Sequence, residues 1–326
     1  MGFRGTAGLT RRDLVLGGFG AVSVLSAAQE PPSPTFKVAV RLVRMQVTVK
    51  DAYGRLVGGL EKDEFLVTEN GVPQELALFE RNTTQPLSVA ILVDTSSSTA
   101  KDARYEFDSV MKFVKALFAS GNPGDAAALY SFNDEVTLQS SFTRNPRRIE
   151  SRLRALKSGG ATAVYDAIYL AAMESMDRDG RHVIVVVSDG GDTVSRTNFQ
   201  QALEALHAAN AVLYPVLVVP VPVEAGRNLR GENSLTTLAS WTGGKLFLPT
   251  LGDSVDRAFE EILRDLRTQY LLGYYPKNVP LSKDRFHKVQ VTTRRGDLLV
   301  SARNGYFGDA IDEPARDPLR GPKQER

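Results

Sequence analysis

Apolar and polar residues alternate from Lys37 onward in VAVRLVRMQVTVK. Val38, Val40 and Leu42 share one parity, and Met45, Val47 and Val49 share the other. The pattern therefore predicts a strand with a bend or bulge near Arg44. DAYGR follows as a turn, and DEFLVTENGVPQELALFER reads as two strands around Asn70-Gly71. Residues 37–82 are thus β-rich.

The period changes at about Leu87. LSVAILVD is a continuous apolar run of the kind buried on both faces. After it, Phe107, Val110, Met111, Val114 and Leu117 recur at helical spacing. DAAALYSFN and EVTLQSSF read as strands, and NPRRIESRLRALK as a short helix with Asn145 as its cap and Pro146 at its first position. AVYDAIYLAAMESM is a helix, HVIVVVSDG a second buried strand, TNFQQALEALHAAN a helix and AVLYPVLVV a strand. NSLTTLASWTGG is a helix ending in glycines, KLFLPT a short strand and SVDRAFEEILRDLRTQ a closing helix. Strand and helix alternate over roughly 180 residues, which predicts an α/β fold with a doubly wound, mostly parallel sheet. Such sheets bind ligands beyond the carboxyl ends of their strands.

After Gln269 the alternation stops. YLLGYYP, FHKVQVTTRR and DLLVSARNGYF are three β segments. Three strands alone make a weak fold. With residues 37–84 they predict one β-rich, sandwich-like domain formed by the flanking N- and C-terminal segments, 37–84 and 268–308, with the α/β domain of 85–267 inserted between them. Residues 29–36 hold PPSPTF and read as a linker, and 309–326 are polar and Pro-rich, a composition that predicts disorder.

The chain of 326 residues is 42% hydrophobic and 24% charged, enough for ordinary cores. Its net charge of +2 argues against a dedicated nucleic-acid binder. With no cysteine, disulfides, cysteine–zinc sites and thiol catalysis are excluded. His182, His207 and His287 are scattered, without the paired spacing of a zinc hydrolase.

Residues 1–28 read as an export signal. Arg11 and Arg12 precede an apolar stretch from Leu14 to Leu25, and small residues follow, with cleavage expected after Ala28. The apolar stretch is short of the roughly 20 residues a membrane span needs. Thr10-Arg11-Arg12-Asp13-Leu14-Val15 looks like a bacterial twin-arginine signal. The expected location is periplasmic or secreted. No transmembrane helix remains if the signal is cleaved, and the chain stays membrane-anchored if it is not.

Three loops meet at one predicted sheet edge. Asp94-Thr95-Ser96-Ser97-Ser98 follows the first buried strand. SGGATAVYDA carries Thr162 just before a helix. VVVSDGGDT places Asp189 after the second buried strand. Two carboxylates and three hydroxyls converge there, without histidine or sulfur. Such hard oxygens suit Mg²⁺, Mn²⁺ or Ca²⁺. Facing carboxylates without a cation would repel, and one would tend to hold a proton.

D-x-S-x-S after a buried strand, a threonine in a glycine turn and an S-D-G loop together resemble the metal-ion-dependent adhesion site of von Willebrand factor type A domains. The resemblance spans about Leu87–Leu266 and gives Asp94, Ser96, Ser98, Thr162 and Asp189 the five metal-site roles. It implies direct binding by Ser96, Ser98 and Thr162, with the aspartates binding directly or through water. The flanking GRLVGGLEKDEFLVTENGVPQEL and YLLGYYP…FHKVQVTTRR…VSARNGYF look like a bacterial, acidobacterial-type family built around that domain.

The competing readings are plain. Asp94–Ser98 alone would serve as a helix cap. Asp192 is either an outer-shell residue or, more simply, a turn former. Asp166 reads as a cap-region or solvated carboxylate. RNPRRIESRLRALK is a solvated helix face before it is a phosphate patch. Trp241, Tyr274 and Tyr275 are packing aromatics before they are ligand-stacking ones. No G-x-S-x-G elbow or phosphate-binding loop is present, and no histidine lies in the three loops. The leading expectation is a non-enzymatic, metal-dependent protein-binding module, its ion capturing an Asp or Glu carboxylate of an unidentified protein. A structural or assembly-assisting envelope protein with a purely stabilising metal comes second, and a metal-assisted hydrolase is a distant third.

Overall fold

The computed structural model describes residues 42–81, 85–99, 103–119, 121–218, 228–249, 253–280 and 285–308. The expected export signal, with Arg11 and Arg12, the linker and the C-terminal tail lie outside them. The first flank forms β1 (Val43–Lys50), β2 (Phe65–Glu69), β3 (Val72–Gln74) and β4 (Leu76–Glu80). The α/β part runs β5 (Leu87–Asp94), α1 (Ala103–Ala119), β6 (Ala126–Phe132), β7 (Val136–Thr143), α2 (Pro146–Leu153), α3 (Val164–Ser175) and β8 (Arg181–Ser188). It continues with α4 (Phe199–Ala208), β9 (Ala211–Leu217), α5 (Leu229–Trp241) and α6 (Asp253–Thr268). The second flank adds β10 (Tyr270–Tyr274), β11 (Phe286–Thr293), β12 (Leu299–Ser301) and β13 (Gly305–Phe307).

The central sheet has the order β7-β6-β5-β8-β9. All neighbours are parallel except β7, which returns antiparallel to β6. Every residue of β5, β6, β8 and β9 is buried. The reason is visible in one strand. Val89, Ile91 and Val93 join the core against α1, α2 and α6, while Ala90 and Leu92 join the core against α3, α4 and α5. Phe113 of α1 meets Phe259 of α6 with ring centroids 5.0 Å apart. Each fully buried aliphatic side chain contributes about 1.5–3 kcal/mol, so both helical layers are held mainly by this alternation.

The flanks form two four-stranded sheets, β12-β1-β10-β4 and β13-β11-β2-β3. They share one apolar core that includes Met45, Val47, Phe65, Val67, Leu272 and Val289. β10 pairs antiparallel with both β1 and β4, so strands on either side of the α/β part lie side by side.

Four sequence expectations change. The β1–β10 register is unbroken from Val43 to Val47, and the irregularity falls instead between Gly273 and Tyr274, opposite β4. β1 is also buried on both faces, because Gln46 and Thr48 turn toward the α/β part, where Gln269 Nε2 donates to Thr48 Oγ1 at 3.2 Å. VPQELALFER and DLLVSARNGYF each split, with one half in either sheet. KLFLPT makes a single bridge, Phe247 to Val216. Pro249 follows two residues later without an N–H to extend the pairing.

The two parts are joined by polar as well as apolar contacts. Lys50 Nζ lies 3.1 Å from Glu261 and 3.0 Å from Asp265, both on α6. The Asn304 N–H donates to the Trp241 carbonyl at 3.0 Å. His207, in the last turn of α4, stacks on Phe286 and packs against Phe307. Within the β layers, buried Glu69 accepts hydrogen bonds from Tyr274 Oη and Tyr306 Oη at 2.8 Å each, and His287 Nδ1 lies 2.6 Å away.

Burial pulls the His207 imidazole down to about 4, with nearby Arg303 acting in the same direction and the bond to the Trp241 carbonyl opposing it. The unfolded chain protonates His207 near 6.5. The folded state binds that proton less readily, so the associated stability is complete above about 6.5 and lost as pH falls toward 4. Of the acid destabilisation between pH 7 and 4, His207 accounts for at most roughly 3 kcal/mol. Urea unfolding over this range is expected to show a shallower pH slope in His207→Phe than in the parent chain. Identical slopes would remove His207 from the account.

Candidate metal site

The site lies at the carboxyl ends of β5 and β8. Their register pairs Val93 with Val187, so the next residues, Asp94 and Ser188, fall side by side. Ser188 Oγ donates to Asp94 Oδ2 at 2.5 Å, and the Ser96 N–H donates to Oδ1 at 2.8 Å. These bonds aim the Asp94 carboxylate along the strand end. The Ser96 and Ser98 hydroxyls are 3.0 Å apart, and Ser98 donates to Asp189 Oδ1 at 3.1 Å. Four of the five expected residues thus lie in one run of polar contacts. Asp94 and Ser96 are buried, whereas Ser98 is exposed.

The second loop is stitched to the first. The Ser97 N–H donates to the Gly160 carbonyl at 3.1 Å, and the Gly159 N–H donates to the Thr95 carbonyl at 2.7 Å. Gly160 has φ +86°, and a Cβ there would run into the Asp134 carboxylate. That carboxylate accepts the Ala161 N–H at 2.8 Å. Thr162 is held to the third loop. Its N–H donates to Thr193 Oγ1 at 2.9 Å, and its carbonyl accepts the Thr193 N–H at 2.8 Å and the Val194 N–H at 3.3 Å. The Thr162 hydroxyl has no hydrogen-bond partner among the described residues.

Burial is the main force raising the Asp94 carboxyl above its usual range, and Asp189 adds to it; the Ser188 and Ser96 hydrogen bonds pull the other way. The edge therefore combines a confined carboxylate, a second carboxylate, and hydroxyls positioned beside them. That donor set fits a hard divalent cation, which would relieve the repulsion and give the Thr162 oxygen a partner.

Two further aspartates hold the third loop. Asp192 Oδ1 accepts the Tyr165 N–H at 3.4 Å and the Ser195 hydroxyl, and Oδ2 accepts the Ser195 N–H at 3.3 Å. It closes its own turn against the start of α3. Asp166 is buried rather than solvated: its oxygens accept the Thr197 N–H at 2.7 Å and the Arg196 N–H at 3.1 Å. It clamps the third loop on its way into α4, a role its sequence position at a helix start does not reveal. Ser188 was legible in principle, as the polar end of an apolar strand next to Asp189. Gly231 carries no such signal. A Cβ at Gly191 would meet the Gly231 Cα, and one at Gly231 would meet the Gly191 backbone. The start of α5 thus rests directly on the third loop.

The class defined by this fold and edge is a doubly wound α/β domain with an oxygen-lined site at the ends of two adjacent parallel strands. Within the α/β part, residues 89–192 match the von Willebrand factor type A domain. Solved structures to which the chain is similar include BatB from Bacteroides thetaiotaomicron, 19% identical, covering 55% of this chain and 98% of that one at a TM-score of 0.45. The von Willebrand factor domain of the type V pili tip protein Mfa5 from Porphyromonas gingivalis is 16% identical, covering 56% and 95% at 0.46. An aerotolerance-related membrane protein from Bacteroides fragilis is 18% identical, covering 55% and 98% at 0.43. No protein of curated function matches the sequence.

Because backbone meets backbone at Gly191 and Gly231, neither side can yield cheaply. Gly231→Ala is expected to cost about 1–3 kcal/mol in urea unfolding. Thr236→Ala, on the exposed face of α5, is expected to stay within about 0.5 kcal/mol. Equal effects would mean that the glycine contact does not support the loop.

Proposed function

We propose that this chain is a metal-dependent protein-binding module. Asp94, Ser96, Ser98, Thr162 and Asp189 hold a divalent cation, Mg²⁺ or else Mn²⁺ or Ca²⁺, and the cation captures an Asp or Glu side chain of a protein partner. The observation that carries the reading is a linked run from Asp94 to Asp189, with the loop that bears Thr162 tied to the first loop through Ser97–Gly160 and Gly159–Thr95 and to the third through Thr193. When bound, the cation supplies a hard Lewis-acid centre for a carboxylate oxygen. The chain's own residues do the rest. Ser188 and the Ser96 N–H fix the direction of Asp94, while the Thr193 and Asp166 bonds hold the second and third loops at a set separation.

Two features favour binding over catalysis. The three histidines are engaged elsewhere: His182 between the Ala209 and Arg178 carbonyls, His207 at the joint with the β layers, and His287 against Glu69. No histidine is thereby placed beside the site. The exposed Val194 and Leu229 also adjoin it, on the third loop and at the first turn of α5, and would add apolar contact around a captured carboxylate.

Asp94→Ala is expected to abolish Mg²⁺ binding in calorimetry, with the far-UV spectrum retained. Capture of envelope proteins by the immobilised parent chain is expected to vanish in EDTA. Capture that persists unchanged in EDTA would instead favour an assembly protein with a stabilising metal, and turnover of a phosphoester or peptide lost in Asp189→Ala would favour a hydrolase.

The module is proposed to act outside the cytoplasm. Among the described residues no helix is long and apolar enough to cross a membrane. The supporting sequence is the Arg11-Arg12 signal. Replacing both arginines by lysine is expected to leave the precursor in the cytoplasm, as judged by fractionation. Normal export of that variant would exclude the twin-arginine route.

A further inference from the structure

DLLVSARNGYF divides between the two β layers, and the division opens a strand edge. Leu299–Ser301 pairs with β1 in one sheet, and Gly305–Phe307 pairs with β11 in the other. β13 therefore borders β11 at Phe286–Lys288 and goes no further, while β2 borders the opposite side of β11 from Val289 to Thr293. Among the described residues no strand continues the line of β13 beside this second half of β11. A cleft of about 590 Å³ lies there, between β11 and β12.

Hydrogen bonding fixes which backbone groups face the cleft. Along a strand, successive residues turn their N–H and C=O groups to opposite sides. Lys288 turns toward the β2–β3 hairpin, where its carbonyl accepts the Asn70 N–H at 2.8 Å. Val289 turns the other way and donates to the Asn304 carbonyl at 2.8 Å. Val291 and Thr293 share the parity of Val289, so their backbone groups point away from β2 and into the cleft. β12 presents a matching position. The Val49 carbonyl accepts the Val57 N–H at 2.9 Å, so Val49 is turned from β12, and Thr48 and Lys50 are turned toward it. These two pair with Ser301 and Leu299, which leaves the backbone of Val300 facing outward. Two strand edges from different sheets thus line one cleft.

The side chains narrow the choice of occupant. Val289, Val291 and Leu298 belong to the apolar core of the β layers and also border the cleft, and Leu299 stands at its rim 63% exposed. The lining holds Arg295 and Arg303 and no acidic residue. Asp297 approaches Arg295 at 3.4 Å, but both side chains are exposed, and such a pair contributes little. An unpaired edge above an apolar floor is a template for one more strand. A second copy of the cleft would set arginine against arginine, whereas an acidic segment matches the charge.

We propose that this cleft binds an extended segment of a protein partner by strand addition to β11. The segment runs beside Val291 and Thr293, lays alternate apolar side chains on Val289, Val291 and Leu298, and places a carboxylate by Arg295. The cleft uses none of the five residues of the metal edge, so its binding does not depend on the cation.

The probe is a synthetic heptapeptide, acetylated and amidated, in which valine and threonine alternate and glutamate stands at one end. The fluorescently labelled peptide is expected to bind the full chain saturably in anisotropy titrations, equally with Mg²⁺ and in EDTA. N-methylation of one set of alternate peptide amides is expected to abolish binding and methylation of the other set to leave it, because an added strand turns one set toward β11. Arg295→Gln is expected to weaken the glutamate peptide roughly fivefold and leave its glutamine counterpart unchanged. Amide exchange at Val291 and Thr293 is expected to be fast in the free chain and slow with the peptide. Slow exchange in the free chain would show the edge already covered, by the chain itself or by a second copy, and would overturn the proposal. Absence of binding, or equal loss from both methylated sets, would overturn it too. Binding lost in EDTA would assign the peptide to the metal edge instead.

Discussion

The parallel pairing of β5 with β8 is the constraint on which the rest of the molecule depends. It sets Asp94 beside Ser188 and brings Asp189 to the same edge. The site itself does not enforce that register; the core does. Val89, Ile91 and Val93 face one helical layer and Ala90 and Leu92 the other. A one-residue slip would exchange large and small side chains between the layers and carry Asp94 out of line with Ser188. The apolar alternation of two buried strands therefore fixes the spacing of polar groups that contribute little to stability themselves. Asp94 costs stability where it stands, since burial and Asp189 both disfavour its charge.

The flanks impose a second constraint. β10 enters the sheet between β1 and β4, so the chain must leave the β layers after β4 and return through α6. α6 is held from both sides: Phe259 packs on Phe113 within the α/β core, while Glu261 and Asp265 reach Lys50 on β1. Asp265 is raised chiefly by burial, and Lys50 opposes that shift. A lysine facing two carboxylates at this half-buried position ties the orientation of α6 to β1 more than it adds net stability. The last helix of the α/β part is thus seated against the same layer that carries Gln46 and Arg303.

The central fold was legible because its signals are strong and local. The uninterrupted apolar runs of β5 and β8, the helical spacing from Phe107 to Leu117 and the Asn145-Pro146 start of α2 all reappear as structure. The β layers were legible only as β. Nothing in VPQELALFER or DLLVSARNGYF marks where the chain crosses from one sheet to the other, because both sheets face one core and present the same alternation. The double burial of β1 was hidden for a related reason: Gln46 and Thr48 look solvent-facing until a second domain is placed on them. At the site, residue types in register with strand ends could be read directly. The supports could not, since Asp166, Thr193 and Gly231 act through backbone groups distant in sequence.

The supports bear on what this edge can do. Asp94 already accepts one hydrogen bond on each oxygen, and each oxygen keeps a further lone pair directed by those bonds. The loops around Thr162 and Asp189 are fastened to each other through backbone amides and carbonyls rather than through the proposed ligand oxygens. An arriving cation would therefore find its oxygens largely positioned, and little loop ordering would be charged against its binding. For the module proposed above, rigid loops, two close carboxylates and hydroxyls on one edge are suited to holding a charged group from outside.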